Sequence, residues 1–137
     1  MKKLIIILLM LLFSIDTYSQ KATTSRRIAI QRVEELFIAT ANGDVDKIKK
    51  LMTHDFYKIK YPYSDAAVRK ILLDAPYEKR QKLIDHIKHH SRKKAYLNRA
   101  GDMITVYLSN LATGKEFTIQ LIDENGNGNW LVCDYDY

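Results

Sequence analysis

Apolar residues in the first half of the chain recur at the spacing of an amphipathic helix. Across residues 25–42 they fall three or four positions apart, which predicts a helix with one buried face. Thr24 or Ser25 is suited to cap its start. Asn42 and Gly43 are suited to end it, because glycine adopts the left-handed conformation beyond a helix at little cost. The apolar positions of this helix are Ala29, Val33, Leu36, Phe37 and Ala41.

Three further helices are predicted before residue 91. Asp44 and Ser64 each precede a new run of apolar residues and are expected to cap the second and third helices. Asp74 is expected to cap the fourth helix, with Pro76 in its first turn, and this helix continues to about His90. The chain therefore opens with a helical half.

Residues 56–63, between the second and third predicted helices, read FYKIKYPY. Lysines and apolar side chains alternate here with the period of a strand. Pro62 has no N–H to donate to a neighbouring strand, which excludes a central position in a sheet. An extended edge segment is predicted.

The second half of the chain carries the pattern of strands. In residues 115–122, Phe117, Ile119 and Leu121 alternate with polar residues, so one face of this strand is expected to be buried. The connections between strands are short enough to permit only hairpins, so the sheet is antiparallel. Helices followed by a meander predict an α+β domain with helices packed on one sheet face. The predicted strands are AYLNR, MITVYLS, KEFTIQLI and NWLVCDYDY.

The N-terminus has the composition of a signal peptide. Lys2 and Lys3 precede an unbroken apolar run at residues 4–13, and the small residues Thr17 and Ser19 suit a cleavage site before Gln20. Residues 1–19 are therefore predicted to be a signal peptide and residues 20–137 a single exported domain, periplasmic or secreted. Because the apolar run is short for a membrane span, an uncleaved anchor is the weaker alternative, and no stable membrane insertion is expected after cleavage.

Charge and cysteine content narrow the classes of partner. The formal net charge is +6, a mild excess that does not predict nucleic-acid binding in an exported chain without a stacking-aromatic motif. Cys133 is the single cysteine, which excludes an internal disulfide. A buried thiol in a strand is expected, with a disulfide between two chains as the alternative. No nucleotide-binding glycine loop or catalytic Cys–His pairing is present, so no cofactor is predicted.

Two long segments resemble the nuclear-transport-factor-2-like (cone-fold) superfamily, in particular its exported, lumazine-binding-like branch of unknown function. They are RVEELFIATANGDVDKIKKLMTHDFY and GDMITVYLSNLATGKEFTIQLIDENGNGNWLVCDY. The resemblance implies a cystatin-like cone, in which a curved sheet wraps around a helical layer and encloses a pocket. It implies no single activity, because this fold hosts isomerases, cyclases, dehydratases and binding modules without catalysis.

Tyrosines and a basic run are the candidate binding residues. Tyrosine combines an apolar body with a polar tip, which suits pocket rims and interfaces, although it also covers sheet edges. The basic run is a candidate contact for an anionic surface, with a solvated helix face as the alternative. The tyrosines are Tyr57, Tyr61, Tyr63 and Tyr107, and the basic residues are Lys79, Arg80, Lys82, Lys88, Arg92, Lys93 and Lys94.

Two motifs resemble metal sites but do not predict one. His86 and His90 share a helix face, yet lysines and arginines surround them, and the helical geometry is expected to direct Asp85 elsewhere. The stretch DENGNGNWLVCD has the spacing of a calcium loop, but a strand after Trp130 would carry Asp134 away from the ion. A hairpin turn is predicted instead, because Asn-Gly pairs tolerate positive φ.

Two functions follow from the sequence. The first is a non-catalytic exported domain that binds a partner protein or a small apolar ligand, with an immunity or envelope accessory role; a homodimer is left open. The second is a small isomerase or dehydratase that would use an aspartate base, Asp55 or Asp102, beside a tyrosine. A buried Asp–Tyr pair in an open cavity would favour the enzyme, and an interior filled with apolar side chains would count against it.

Overall fold

Helices occupy the first two thirds of the fold and an antiparallel sheet the last third. The computed structural model describes the backbone of residues 2–136 and the side chains of residues 20–136. Within residues 2–136, five helices precede four strands. The helices are α1 (Lys2–Asn42), α2 (Val45–Leu51), α3 (His54–Lys60), α4 (Asp65–Leu73) and α5 (Tyr77–His89), and the strands are β1 (Ser91–Leu97), β2 (Met103–Asn110), β3 (Glu116–Ile122) and β4 (Leu131–Asp136).

The sheet is a curved, unclosed meander in the order β1-β2-β3-β4, with every pair antiparallel. Val106 pairs with Ala95 on one side and Ile119 on the other. Because side chains alternate across a strand, these residues share one face, which packs on the helices. The prediction of an α+β domain with the helices before the sheet is confirmed.

The core lies between the helices and this inner face. Strand β2 contributes Ile104, Val106 and Leu108, which are all buried. The segment after α2 is joined to the last strand: Met52 bridges Val132 in parallel, and Thr53 N–H donates to Val132 O at 2.9 Å. The helices contribute the buried residues Ala29, Val33, Leu36, Ala39, Val45, Ile48, Leu51, Val68 and Ile87.

The end of α1 is where the sequence predicts it, but its start is not. Gly43 has a φ of 65° and follows the last helical residue, Asn42. The predicted cap at Thr24 or Ser25 is wrong, because α1 runs without a break from Lys2. The signal-peptide prediction falls on residues 1–19, whose side chains lie outside the described residues. In the part of α1 with described side chains, burial begins at Ser25.

The predicted edge strand at residues 56–63 is wrong. His54–Lys60 forms α3, and the side chain of Thr53 accepts a hydrogen bond from Phe56 N at its start. This N-cap outweighs the short alternation, and the helix places Tyr57 and Tyr61 one turn apart, with ring centroids separated by 5.4 Å.

Other boundaries shift by a few residues. Asp44 and Ser64 cap α2 and α4 as predicted, each accepting a backbone N–H three residues on. Asp74 does not cap α5; it lies at the C-terminus of α4, and Pro76 precedes α5 without a side-chain cap. β1 begins at Ser91, four residues before the predicted strand.

Cys133 lies in β4 at an irregularity of the ladder, where Gln120 pairs with Asp134 and Leu121 with Val132. Its thiol is half-buried rather than buried and donates to Gln120 O at 3.4 Å. Desolvation raises the pKa of this thiol, so it stays protonated at neutral pH. In the described part of the chain, no helix has the length and apolarity that crossing a bilayer requires.

Candidate ligand cavity and binding surfaces

One cavity of about 170 Å³ lies between the helical layer and the inner face of the sheet. It sits at the end where β2 turns into β3, with α1 and α5 on its other side. Its surface is mainly apolar, and Leu83, at 36% exposure, brings it to the surface of the molecule. The lining residues are Phe37, Leu83, His86, Ile87, Ser91, Leu108, Ser109, Asn110, Lys115 and Phe117.

A hydrogen bond between His86 and Asn110 gives this cavity a fixed polar group. Asn110 Oδ1 accepts from Ala112 N at 2.8 Å and Thr113 N at 3.0 Å, which settles the orientation of its amide. The amide nitrogen Nδ2 therefore faces His86 Nε2 at 3.2 Å as a donor. His86 Nε2 must then accept, so the proton of the neutral ring is on Nδ1.

A second cavity, of about 370 Å³, lies at the opposite end of this layer. It is lined by Ser25 of α1, by Asp102 and Asp123 of the turns, and by Trp130. The buried polar residues among those described are Ser25 and Thr53, and no carboxylate is among them. A cavity of about 150 Å³, similar in size to the first cavity, is large enough to bind benzene in a protein core. The first cavity therefore offers room for a molecule of one ring, with a polar group at its edge.

The three tyrosines of α3 and the following loop lie together, as their spacing suggests. Tyr57, Tyr61 and Tyr63 line a shallow surface groove that also includes Lys49 and His54. However, Tyr57 and Lys49 use their polar atoms within the protein. Tyr57 Oη donates to Asp65 Oδ1 at 3.1 Å, and Lys49 Nζ donates to Asp65 Oδ2 at 2.9 Å.

Burial and the hydrogen bond to Asp65 raise the pKa of Tyr57 to about 12. Tyr57 is buried, and its ring lies 5.7 Å from Lys49 Nζ. This tyrosine therefore joins α3 to α4 through its hydroxyl group. Of the three, Tyr63 is the exposed one, at 60%.

Tyr107 lies on the outer face of the sheet, in a groove that includes none of the other three predicted tyrosines. It packs edge-on against Tyr96, with ring centroids 5.6 Å apart. The two rings line an open groove of about 760 Å³ with Arg92 and Lys94. The structure thus joins Tyr107 to part of the basic run.

The basic run divides among three environments. Arg80 donates to Ala75 O and to Ala41 O, at the C-terminus of α1, at 3.0 and 3.1 Å. Lys93 points to the inner face and pairs with Glu34 at 2.8 Å, with its side chain only 12% exposed. The remaining members are exposed, on α5 (Lys79, Lys82 and Lys88) and on the outer face of β1 (Arg92 and Lys94). A single continuous patch over all seven residues is therefore not formed.

The aspartates predicted for catalysis lie at the surface. Asp55 is in the first turn of α3, and Asp102, in the β1–β2 turn, accepts from Asn98 Nδ2 at 2.7 Å. Asp65 and Tyr57 do form an Asp–Tyr contact, but it lies outside the interlayer cavity. The hydrogen bond from Lys49 lowers the pKa of Asp65, which makes this carboxylate a weak proton acceptor.

The two metal-like motifs are held by internal contacts. His86 and His90 stack with centroids 6.1 Å apart, and His90 Nε2 lies 3.2 Å from Asp85 Oδ2. The expectation that Asp85 points elsewhere is wrong, because His90 lies beyond the last helical turn. Within the described residues, no group of three His, Cys, Asp or Glu side chains is placed to hold a metal ion.

In the glycine-rich loop, both carboxylate oxygens of Asp123 accept hydrogen bonds from the backbone of the turn. Oδ1 accepts from Asn127 N at 3.2 Å, and Oδ2 accepts from Gly128 N at 2.9 Å. Gly126 and Gly128 have φ of 64° and 82°. Asp123 therefore stabilises the connection between β3 and β4, and Trp130 follows it as a buried residue.

None of the cavity residues is predicted from the sequence to bind a ligand: His86 belongs to a metal-like motif, and Phe37 and Phe117 are predicted as buried positions. His86 and Asn110 are 24 positions apart, on a helix and at the end of a strand, and no local motif connects them. The turn sequence Asn110 to Gly114 does indicate one role of Asn110, because an asparagine that starts a turn commonly hydrogen-bonds to the backbone of that turn.

No family model, curated protein or solved structure matches this chain.

Proposed function

We propose that this protein is an exported cone-fold domain that binds a small apolar ligand without catalysis. The observation that carries the proposal is the cavity of about 170 Å³ between α1, α5 and the sheet. Its position, under the curved sheet and beside the helical layer, is where the resemblance to the cone-fold superfamily places a pocket. An envelope accessory role is compatible with such a ligand.

The lining defines the chemistry of the ligand. Phe37, Ile87, Leu108 and Phe117 supply apolar contacts. Asn110 Nδ2 has a second N–H beyond the one directed at His86, which suits a ligand with one oxygen acceptor. A single aromatic ring with a hydroxyl or carbonyl group fits both the volume and this polar edge.

Catalysis is left out of the proposal because the polar groups of the cavity do not form an acid–base pair with a carboxylate. The Tyr57–Asp65 contact that resembles such a pair is exposed to solvent on its Asp side and lies in another part of the molecule. A binding role needs only the apolar surface and one fixed donor, and the cavity has both.

Thermal unfolding with phenol tests the proposal. A ligand at about ten times its Kd adds about 1.4 kcal/mol to the stability of the folded state, which raises Tm by about 5 °C in a domain of this size. Leu83→Trp, at the mouth of the cavity, should abolish the shift. Ile71→Trp is the matched control, since Ile71 is 54% exposed on α4 and should leave the shift unchanged. No shift with phenol, benzene or indole would contradict the proposal.

Export is tested separately by sequencing the N-terminus of the protein recovered from its own cells. Cleavage before Gln20 predicts a mature chain that starts at this residue in the periplasmic or secreted fraction. A protein that starts at Met1 or Lys2 in the cytosolic fraction would contradict export without bearing on the cavity.

A further inference from the structure

We infer that β1 is a docking edge for an extended acidic segment of a partner protein, which adds to the sheet as a further strand. This surface lies on the edge and outer face of the sheet and goes beyond the function proposed above. It adjoins the interlayer cavity at Ser109 and Asn110, which line both. Four features support the inference. They are the edge position of β1, two cations without ion pairs, the adjacent aromatic groove, and the charge repulsion that disfavours a second copy of β1 at this edge.

The edge of β1 offers backbone hydrogen-bonding groups. Within residues 2–136, β1 is terminal in the sheet and pairs only with β2. Outside the ladders and helices, no backbone hydrogen bond in the described chain involves residues 91–97. In an antiparallel pair, the N–H and C=O groups of alternate residues point away from the partner strand, so a row of these groups on β1 is open to a further strand.

Arg92 and Lys94 set the charge of an incoming strand. They project from the outer face two residues apart, and both side chains are exposed. Neither has a carboxylate within ion-pair distance in the described chain. The intervening Lys93, in contrast, forms an ion pair with Glu34 on the inner face. Lysines on an edge strand usually prevent strand pairing. The same two charges attract a strand whose carboxylates also alternate.

The groove beside these cations can receive the side chains of that strand. Tyr96 continues the outer row of β1 after Lys94 and is 54% exposed. Tyr96 contacts Tyr107, and the two rings form an aromatic surface within the groove of about 760 Å³. A partner with two alternate acids followed or preceded by an apolar residue matches this sequence of two cations and a tyrosine. Backbone pairing then supplies affinity, and the alternate side chains supply specificity.

The same charges disfavour pairing between two copies of β1. An antiparallel β1–β1 pair would bring Arg92 and Lys94 of one chain close to those of the other, and like charges opposite each other destabilise a strand pair. The charges of β1 therefore disfavour pairing with a second copy of β1 and favour pairing with an acidic strand of another protein.

Binding is measured by fluorescence anisotropy with a labelled peptide of about nine residues, long enough to pair with a strand of average length. The peptide carries Glu at two alternate positions, Val two residues beyond the second Glu, and Thr or Val at the positions between them. The full chain should bind it, and the same peptide with Lys in place of Glu should not bind. Arg92→Glu with Lys94→Glu should weaken binding more than about tenfold, because two attractions become repulsions.

Lys79→Glu with Lys82→Glu is the matched control, since it makes the same charge change on the exposed face of α5 and should alter affinity less than about twofold. The milder pair Arg92→Gln with Lys94→Gln repeats the test if the reversal lowers the melting temperature. Leu83→Trp should leave peptide binding unchanged, which separates this surface from the cavity.

Two further measurements distinguish strand addition from charge attraction alone. Peptide binding should slow amide hydrogen exchange in β1, and N-methylation of alternate peptide residues on the pairing edge should abolish binding. The inference is overturned if the acidic peptide does not bind, if the α5 control loses as much affinity as the β1 variant, or if the N-methylated peptide binds equally well. Self-association of the chain that is blocked by Arg92→Glu would also overturn it in favour of a second copy.

Discussion

Asn110 Nδ2 and His86 Nε2 lie 3.2 Å apart and join the last turn of α5 to the end of β2. The two backbone hydrogen bonds to Asn110 Oδ1 hold the asparagine in the β2–β3 turn at the same time. One side chain therefore fixes both a hairpin turn and the polar edge of the cavity.

Substitution of Asn110 should separate these two roles. Asn110→Ala removes all three hydrogen bonds and is expected to lower the free energy of unfolding by about 2–3 kcal/mol. Asn110→Asp keeps acceptors for the turn but loses the donor to His86, so a loss of about 1 kcal/mol is expected at pH 8. Urea unfolding of both variants checks this order. Equal losses would show that the contact with His86 contributes nothing measurable.

Tyr57 should make stability depend on alkaline pH. Its pKa is raised to about 12, mainly by burial and then by the hydrogen bond to Asp65. The unfolded tyrosine ionises near its ordinary pKa of about 10, so the contribution is complete below pH 10 and is lost as the pH rises to about 12. Tyr57→Phe should remove this additional loss, seen by comparing urea unfolding of the two proteins from pH 9 upward. Parallel curves would contradict the prediction.

Adjacent lysines on β1 should respond differently to truncation. Lys93 contacts Glu34 at 2.8 Å and is largely buried, so Lys93→Ala is expected to cost about 1–2 kcal/mol. Lys94 is exposed, and Lys94→Ala should change stability by less than about 0.5 kcal/mol. A double-mutant cycle with Glu34→Gln isolates the pair. A coupling near zero would mean that the ion pair does not stabilise the fold.

Gly43 should not tolerate a side chain. Its φ is +65°, and a Cβ atom there would lie 2.7 Å from Leu73 Cγ. Gly43→Ala is expected to lower stability by about 1–3 kcal/mol through backbone strain and this clash. Gly43→Ala with Leu73→Ala should recover the part due to the clash. Failure of the double variant to recover any stability would assign the whole effect to the backbone.

The sequence specifies more of the fold than of the site, for physical reasons visible at particular residues. Asp44, Ser64 and Gly43 act through local hydrogen bonds and local φ, so their roles can be read from neighbouring residues. α3 is not predicted, because the alternation of residues 56–61 indicates a strand, whereas the cap at Thr53 indicates a helix. The helix is favoured by that cap and by the burial of Tyr57, which depends on tertiary packing.

The candidate site depends on contacts between distant parts of the chain. The position of Tyr107 beside Arg92 and Lys94 follows from the register of β1 on β2, where Lys94 pairs with Tyr107. The hydroxyl group of Tyr57 is engaged in a hydrogen bond to Asp65, which lies on the next helix. Periodicity predicts that these side chains leave a strand or helix on a given face, but it does not predict their partners.

The most direct test of the cavity is an NMR titration of the methyl-labelled protein with phenol. Leu108 and Ile87 line the cavity, whereas Val132 is buried on β4 and is not part of its lining. The methyl signals of Leu108 and Ile87 should shift saturably and show nuclear Overhauser effects to the phenol ring protons, with Val132 nearly unchanged. Ring contacts confined to the outer sheet face, or no saturable shift at Leu108 and Ile87, would contradict ligand binding between the helices and the sheet.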